Sequence, residues 1–404
     1  MKYSLPKTIA NIISIINKSG FKAHIVGGCV RDILLNKTPA DWDITTNASP
    51  GTIKSLFRKA LDTGIKHGTV TVVYKGMPVE VTTWRKETGY SDHRHPDSIC
   101  LTDSLIEDLA RRDFTMNAIA YHPEEGLVDP FGGYADISGK IIRCVGNPYE
   151  RFSEDALRML RAIRFSAQLD FDIDKNTFAA MIQHSRDLTH ISRERIQAEI
   201  NKILESNYPQ KLSLLWDSGI STIVFPGIET LPAIWYKAAK HFTGSQYQKV
   251  ILFSLLFYIS CKTDAIHSAK NYLTINKYDN KTTNSILRHI KCLNDLNLLT
   301  QRNIRKAATE YGVSITENTV KILNALQSIN EKKPVLSHEK NNILPVIPSI
   351  SGGNLKILGL QGRAIKDVLD TILLCLYEDP ALNRRDILIC LAKSIMASEF
   401  YTGK

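Results

Sequence analysis

The stretch that most constrains this chain runs from Ile25 to Ile44. Apolar residues lead into Gly27-Gly28, residues 30–35 read as a short helix, and Pro39 ends it. Asp41-Trp42-Asp43-Ile44 then reads as a new strand. Strand side chains alternate faces, so Asp41 and Asp43 are expected on one face, with Cα atoms about 6.5–7 Å apart. That spacing suits two divalent ions roughly 3.5–4 Å apart. Magnesium fits best, because it takes oxygen ligands and keeps water and phosphate in its shell. Gly27-Gly28 lets backbone approach phosphate oxygens without a Cβ clash. The following helix offers free N–H groups, and Arg31 adds a planar cation there. Each feature alone is commonplace. Strand, Gly-Gly, helix and strand in order, within about 20 residues, point to metal-dependent chemistry on a nucleoside triphosphate.

A chain of 404 residues is long enough for several packing units. The net charge of +10 is unevenly spread. Residues 1–200 carry 26 Lys and Arg against 25 Asp and Glu, whereas residues 201–340 carry 18 against 10. A polyanion reaching past the catalytic head accounts for that excess, and a mononucleotide does not. Cysteines at 29, 100, 144, 261, 292, 375 and 390 show no zinc spacing and read as reduced thiols of a cytoplasmic protein. Residues 9–16 read as an amphipathic helix rather than a signal peptide. The longest apolar run, 250–259, is too short to span a bilayer and reads as a buried helix, so no membrane partner is expected. Nothing in the sequence identifies a protein partner.

Along the head, residues 5–19 form a helix, 22–26 a strand, and Ser49 caps a helix that begins at Pro50 and runs to about residue 61. Residues 68–74 and 79–84 read as a hairpin. Glu80 alternates with Val79 and Val81, and joins the aspartates if this hairpin enters their sheet. Residues 85–98 are polar, of mixed charge, and read as a mobile loop. In residues 107–118, helical spacing puts Asp113 and Asn117 on one face. Such a pair can hold a ribose hydroxyl, and Arg111 or Arg112 can hold phosphate.

Residues 153–165 read as one helix with Ser153 as N-cap. Glu154 and Arg158 form an i, i+4 pair. Asp155 only accepts and Arg158 only donates, and three residues apart they share a face. Together they match the pairing edges of cytosine and adenine. Guanine and uracil present an acceptor to the carboxylate, at a cost of about 1–3 kcal/mol per wrong contact.

The run Gly27-Gly28-x-Val30-Arg31-Asp32 followed by Asp41-x-Asp43 closely resembles the head motif of class II tRNA nucleotidyltransferases and bacterial poly(A) polymerases. Glu80 in Val-Glu-Val-Thr-Thr, Arg111-Arg112-Asp113-Phe114-Thr115-x-Asn117-Ala118, Asp129-Pro130-Phe131-Gly132-Gly133 and Glu154-Asp155-x-x-Arg158 are similar to further motifs of that family. The resemblance implies an α+β fold. A polymerase-β-like nucleotidyltransferase head with a small mixed sheet (1–145) precedes an all-α neck with the base-templating helix (146–205). A helical tRNA-binding body (206–336) and a linker with a helical, tRNA-binding tail (337–404) follow.

The resemblance also implies roles. Asp41 and Asp43 bind metal, and Glu80 completes the catalytic triad of acids. Gly28, Arg31, Arg111, Arg112, Asp113, Asn117, Arg161 and Arg164 bind the nucleotide, Asp155 and Arg158 read its base, and Glu154 supports them. The loop after Glu80 serves adenosine addition. Ser192-Arg193-Glu194-Arg195-Ile196-x-x-Glu199 resembles a later neck motif that braces the templating helix. Ile350-Ser351-Gly352-Gly353-Asn354-Leu355 resembles a tail segment in which Asp is usual at the place of Asn354.

Basic stretches at 236–241, 287–291 and 302–306 are expected to track a phosphate backbone. The expected activity is template-independent addition of CCA to the tRNA 3′ end, using CTP, ATP and Mg2+. Addition of the terminal A alone is compatible with the same motifs. A poly(A) polymerase is a further alternative, although residues 63–74 lack the Gly-basic-basic-Phe signature of those heads. An RNA-binding protein with a dead head is disfavoured by three intact acids.

Overall fold

Residues 3–64, 68–90, 96–296, 299–329 and 343–398 are described by the computed structural model. They form two compact units, Met1–Glu229 and Thr230–Lys404. The first opens with α1 (Lys7–Lys18), which buries Ile9, Ile12, Ile13 and Ile16 along one stripe. Strand β1 (Ala23–Val26) leads through Gly27 into α2 (Gly28–Leu34), β2 (Asp43–Thr46) and α3 (Pro50–Leu56). Ser49 caps α3 by accepting from the Thr52 N–H, as expected.

The helix expected to reach residue 61 stops at Leu56. Phe57 is extended and buried, with its ring edge-on to Tyr74 at 6.3 Å. The chain then forms an unexpected strand, β3 (Ala60–Gly64), before β4 (Thr69–Tyr74) and β5 (Met77–Thr83). Residues 65–67, within the stretch compared with poly(A) polymerases, lie outside the described residues.

Residues 85–98 are not an open loop throughout. Strand β6 (Arg85–Thr88) pairs antiparallel with β7 (Ser98–Leu101), while 91–95 lie outside the described residues. The polar composition concealed this pairing, because Arg85 and Glu87 satisfy each other at 2.7 Å instead of facing water. After α4 (Leu105–Ala110), strands β8 (Ala120–His122) and β9 (Gly126–Val128) complete a seven-stranded sheet in the order β3-β4-β5-β2-β1-β8-β9. Only β2 and β5 in that sheet run parallel. Helix α5 (Gly133–Ser138) follows.

The helix expected over 153–165 is broken. Helix α6 (Pro148–Glu154) begins on the Asn147 cap, so Ser153 lies in its last turn rather than capping. Asp155 is extended, at φ −146° and ψ 101°, and α7 (Leu157–Leu169) starts afresh beyond it. The expected all-α neck also contains a two-residue strand, Asp172–Ile173, parallel to Ile141–Ile142. Helices α8 (Lys175–His184) and α9 (Arg193–Leu204) complete the part that supports the site.

The second unit is helical in its named elements. Gln248–Ile275 is long and apolar enough by composition to cross a membrane. It is two helices, Gln248–Cys261 and Ala265–Ile275, separated by a 3-10 turn. Ile251 to Phe257 are buried within the unit, as expected for a core helix. Two of the arginines expected to track phosphate bond the chain's own carbonyls. Arg288 donates to Tyr311 O at 2.7 Å, and Arg305 to Tyr377 O and Glu378 O at 2.9 and 3.1 Å. In the segment read as a linker, residues 337–342 lie outside the described residues. Val346 and Ile350 beyond them are packed into a core with Leu355, Ile372 and Leu388. Asn354 replaces the usual acid without chemical loss, because its amide oxygen accepts the Ser351 N–H at 2.9 Å in a capping box.

Gly132-Gly133 connects β9 to α5. A Cβ on Gly133 would lie 2.2 Å from the Thr115 carbonyl oxygen, whereas Gly132 has φ +73° and open space around it. Gly133→Ala should therefore lose about 2–3 kcal/mol through overpacking, and Gly132→Ala about 1–2 kcal/mol through backbone strain alone. Denaturant midpoints of the two variants check that order.

Candidate active site

Strand β2 opens on Asp43, and Asp43 is in register with Glu80 on its parallel neighbour β5. The hairpin therefore joins the sheet as expected, and the two carboxylates face the same way. Asp41 lies in a bend before the strand, not within it, so strand alternation does not place it. Burial raises the Asp43 carboxyl, the Arg112 charge opposes that, and the Glu80 and Asp41 charges raise it further. Among the described residues no three His, Cys, Asp or Glu side chains form a ready-made metal cage. The donor set nevertheless fits a hard divalent cation. Carboxylates that repel one another through Asp43 gain a counter-charge, and an ion that keeps water and phosphate ligands does not need a closed protein cage.

Gly27 sits at φ +80°, and a Cβ there would approach Arg112 Nη1 to 2.9 Å. Both the conformation and the close approach require glycine. Gly28 begins α2 behind this turn. Arg31 donates through Nη1 to Asn117 Oδ1 at 2.8 Å and through Nε and Nη2 to Asp32 Oδ1 at 3.0 and 2.8 Å. Residues 113–117 are not the expected helix. Phe114 bridges Cys144 in β geometry, and Thr115–Asn117 is a single 3-10 turn. The expected Asp113–Asn117 contact forms across that turn, with Asn117 Nδ2 donating to Asp113 Oδ1 at 3.3 Å. Arg161 clamps the other oxygen of Asp113 from α7, with Nε and Nη2 at 2.8 and 2.6 Å.

A cavity of about 370 Å³ gathers Arg111, Arg112, Asp113, Asp155, Arg158 and Arg161 in its walls. Asp41, Asp43, Glu80, Gly28, Arg31, Asn117 and Glu154 do not line it. Arg112 connects the two groups, since it lies in the wall, beside Gly27, and within electrostatic range of Asp43. Glu154 reaches the cavity through Arg158, whose Nη1 it accepts while Nη2 donates to Arg111 O at 3.4 Å. Asp155 accepts from Arg195 Nη2 at 2.8 Å and from the Leu157 N–H at 3.1 Å. Arg164 is not brought to the cavity. It is buried against Glu199 of α9 at 3.0 Å and lies 4.2 Å from the Phe165 ring centre. The second neck motif thus holds Asp155, just ahead of α7, through Arg195, and α7 itself through the Glu199–Arg164 pair.

Glu87 and Tyr90, also in the walls, went unrecognised in the polar stretch after Glu80. The alternation of Arg85 and Glu87 was the available signal. Glu87 accepts from Arg85, Arg111 and Tyr90. Burial pushes the Glu87 carboxyl up, but the Arg111 charge, the Tyr90 bond and Arg85 outweigh it and hold it low.

Burial also pushes the Asp113 carboxyl up. The charge and bonds of Arg161, with the Asn117 bond, outweigh burial and hold it at about 2. A depressed folded value means that this group contributes stability above its unfolded value, near 3.9, and loses it as pH falls toward 2. Arg161→Met should remove that acid-limb contribution and lower stability at neutral pH by about 1–2 kcal/mol, since Arg161 is partly open to solvent in the cavity wall. Urea midpoints between pH 2 and 7 test it.

Residues 23–143 match the family described as "Poly A polymerase head domain", and residues 170–231 match "Probable RNA and SrmB- binding site of polymerase A". The chain is 38% identical over 388 residues to the CCA-adding enzyme of Geobacillus sp. (strain WCH70), covering 92% of each. It is 49% identical over 200 residues to that of Pediococcus pentosaceus, half of each chain. Among solved structures, the Bacillus stearothermophilus CCA-adding enzyme in complex with CTP matches with a TM-score of 0.74 and 29% identity, over 98% of both chains. The Thermotoga maritima enzyme complexed with tRNA shares the fold at a TM-score of 0.70 and 22% identity, over 97% of this chain and 96% of that one. With relatives of this extent around an acidic strand pair and a polar, arginine-lined cavity, the chain belongs to the CCA-adding enzymes.

Proposed function

We propose that this CCA-adding enzyme completes tRNA 3′ ends by two-metal nucleotidyl transfer from CTP and ATP, with magnesium held by Asp41 and Asp43 and Glu80 completing the acidic group. The observation that carries the reading is Arg112, whose guanidinium both lines the polar cavity and acts on the Asp43 carboxylate. When bound, the divalent ions supply Lewis acidity to the primer hydroxyl and to the departing pyrophosphate.

The chain's own residues do the rest. Gly28 gives the backbone approach, and Arg112 and Arg111 grip the phosphates beside it. Arg31 holds Asn117, and Asp113, locked by Arg161, fixes its other side, so Asn117 meets the sugar hydroxyl in one orientation. Asp155 keeps one lone pair free, on Oδ2, after accepting from both Arg195 Nη atoms and the Leu157 N–H, enough to accept from the amino group of cytosine or adenine. Arg158, steered by Glu154, donates to the adjacent ring acceptor. Arg164 acts through Glu199 by holding α7 against α9. The polyanion itself is met by the body (206–336) and tail (337–404) segments, with the cytoplasm as the place where its tRNA is found.

Three tRNA transcripts, lacking CCA, ending in C and ending in CC, test the reading with CTP, ATP or both. All three should be completed to CCA and no further. Growth of the CC-ending transcript alone would mean an A-adding enzyme, and long A ladders a poly(A) polymerase. Asp43→Ala should lower turnover by about 10²–10³-fold or more, while leaving tRNA binding in a filter assay within twofold.

A further inference from the structure

Asp108 is a fully buried carboxylate that no step above uses, in the first turn of α4. Its Oδ1 accepts from Arg111 Nε and Nη2 at 3.0 and 2.7 Å, and from the Arg85 backbone N–H at 3.4 Å. Its Oδ2 accepts from Thr45 Oγ1 at 3.0 Å and lies 3.7 Å from Arg112 Nη2. Thr45 is itself fully buried and stands two residues after Asp43 on β2. One carboxylate therefore spans the strand that carries the metal-facing acid and two arginines of the cavity wall, Arg111 and Arg112.

Arg85, Arg111 and Arg112 face Asp108 and Glu87, and Arg112 also faces the Asp43 and Asp113 charges. Arg112 keeps donor capacity: its Nε is buried with no hydrogen-bond partner among the described residues, and its Nη1 is the atom beside Gly27. Arg111 and Arg112 are sequence neighbours and repel each other. A single negative charge between them holds both forks in fixed directions, and direction decides whether an arginine meets a phosphate in bidentate geometry.

We infer that Asp108 is a positioning residue for the triphosphate, setting Arg111 and Arg112 relative to the Asp43 strand so that the enzyme recognises the β- and γ-phosphates of the incoming nucleotide. This rests on the reading that those arginines grip the triphosphate. The role is exerted on phosphate groups and not on the base, because Asp108 bonds none of Glu154, Asp155 and Arg158 and instead meets the arginines. A purely structural buried ion pair would weaken the fold and would treat CTP and CMP alike.

The test is calorimetric binding of CTP and of CMP, with magnesium and without tRNA, to the full chain and to its Asp108→Asn variant. Asparagine keeps the shape and an acceptor for Thr45 but removes the charge. The CTP affinity should fall about tenfold or more, with CMP affinity held within twofold. In primer extension the KM for both CTP and ATP should rise more than kcat falls. Thr45→Val, which leaves every charge in place and frees one carboxylate oxygen to turn, should shift the same CTP-to-CMP ratio in the same direction by about threefold. It serves also where the asparagine variant does not fold. An unchanged ratio in the folded variants overturns the role of Asp108. A wild-type protein that binds CTP no better than CMP overturns the grip of the arginines on phosphate, and is distinguishable because it appears before any substitution.

Discussion

The Asp113–Arg161 ion pair ties the acid-bearing region to the helix that presents Arg158. A carboxylate removed from water would stay neutral unless a cation met it with good geometry. Arg161 supplies two donors to one oxygen, and Asn117 supplies one to the other. The consequences spread in both directions. Through Asn117 the pair reaches Arg31 and α2, and through α7 it fixes the helix that continues from Arg158 to Arg164.

Much of the interior around the site is built in the same manner, from arginines and carboxylates rather than aliphatic contacts alone. Such interiors are costly unless satisfied, and their reward is direction. An aliphatic core tolerates small rotations, whereas a guanidinium held by two oxygens does not. For a protein that must choose between bases by hydrogen bonds, that stiffness is useful. Arg158 is held by Glu154 and by the carbonyls of Arg151 and Arg111, so its remaining donors point one way. Arg164 and Glu199 supply the same rigidity one turn deeper, under the ring of Phe165.

Part of this was legible in the chain. The alternation around Glu80 placed it correctly, since Val79 and Val81 are buried and Glu80 is exposed on the other face. The Gly-Gly break and the Ser49 cap came from local sterics and local hydrogen bonds, which neighbours decide. The strand was expected to begin at Asp41 and begins at Asp43, so the alternation argument does not reach Asp41, although its charge still acts on Asp43. The continuous helix over 153–165 failed at Asp155, because apolar spacing does not register a side chain drawn away by Arg195, forty positions on.

The sequence by itself determined the acids, the glycine turn, the Glu154–Arg158 ion pair and the basic balance of the second half, because each depends on residue type and spacing within a few positions. The tertiary structure alone decided which arginine does what. Arg161 and Arg164 look equivalent on one helix, yet one meets Asp113 and lines the cavity while the other is buried on Glu199. Likewise Arg305, one cation of the basic run 302–306, is found with its Nη1 on the carbonyls of Tyr377 and Glu378. A long, flexible cation finds its partner in space, and partners 35, 48 or 72 residues away leave no trace in local periodicity.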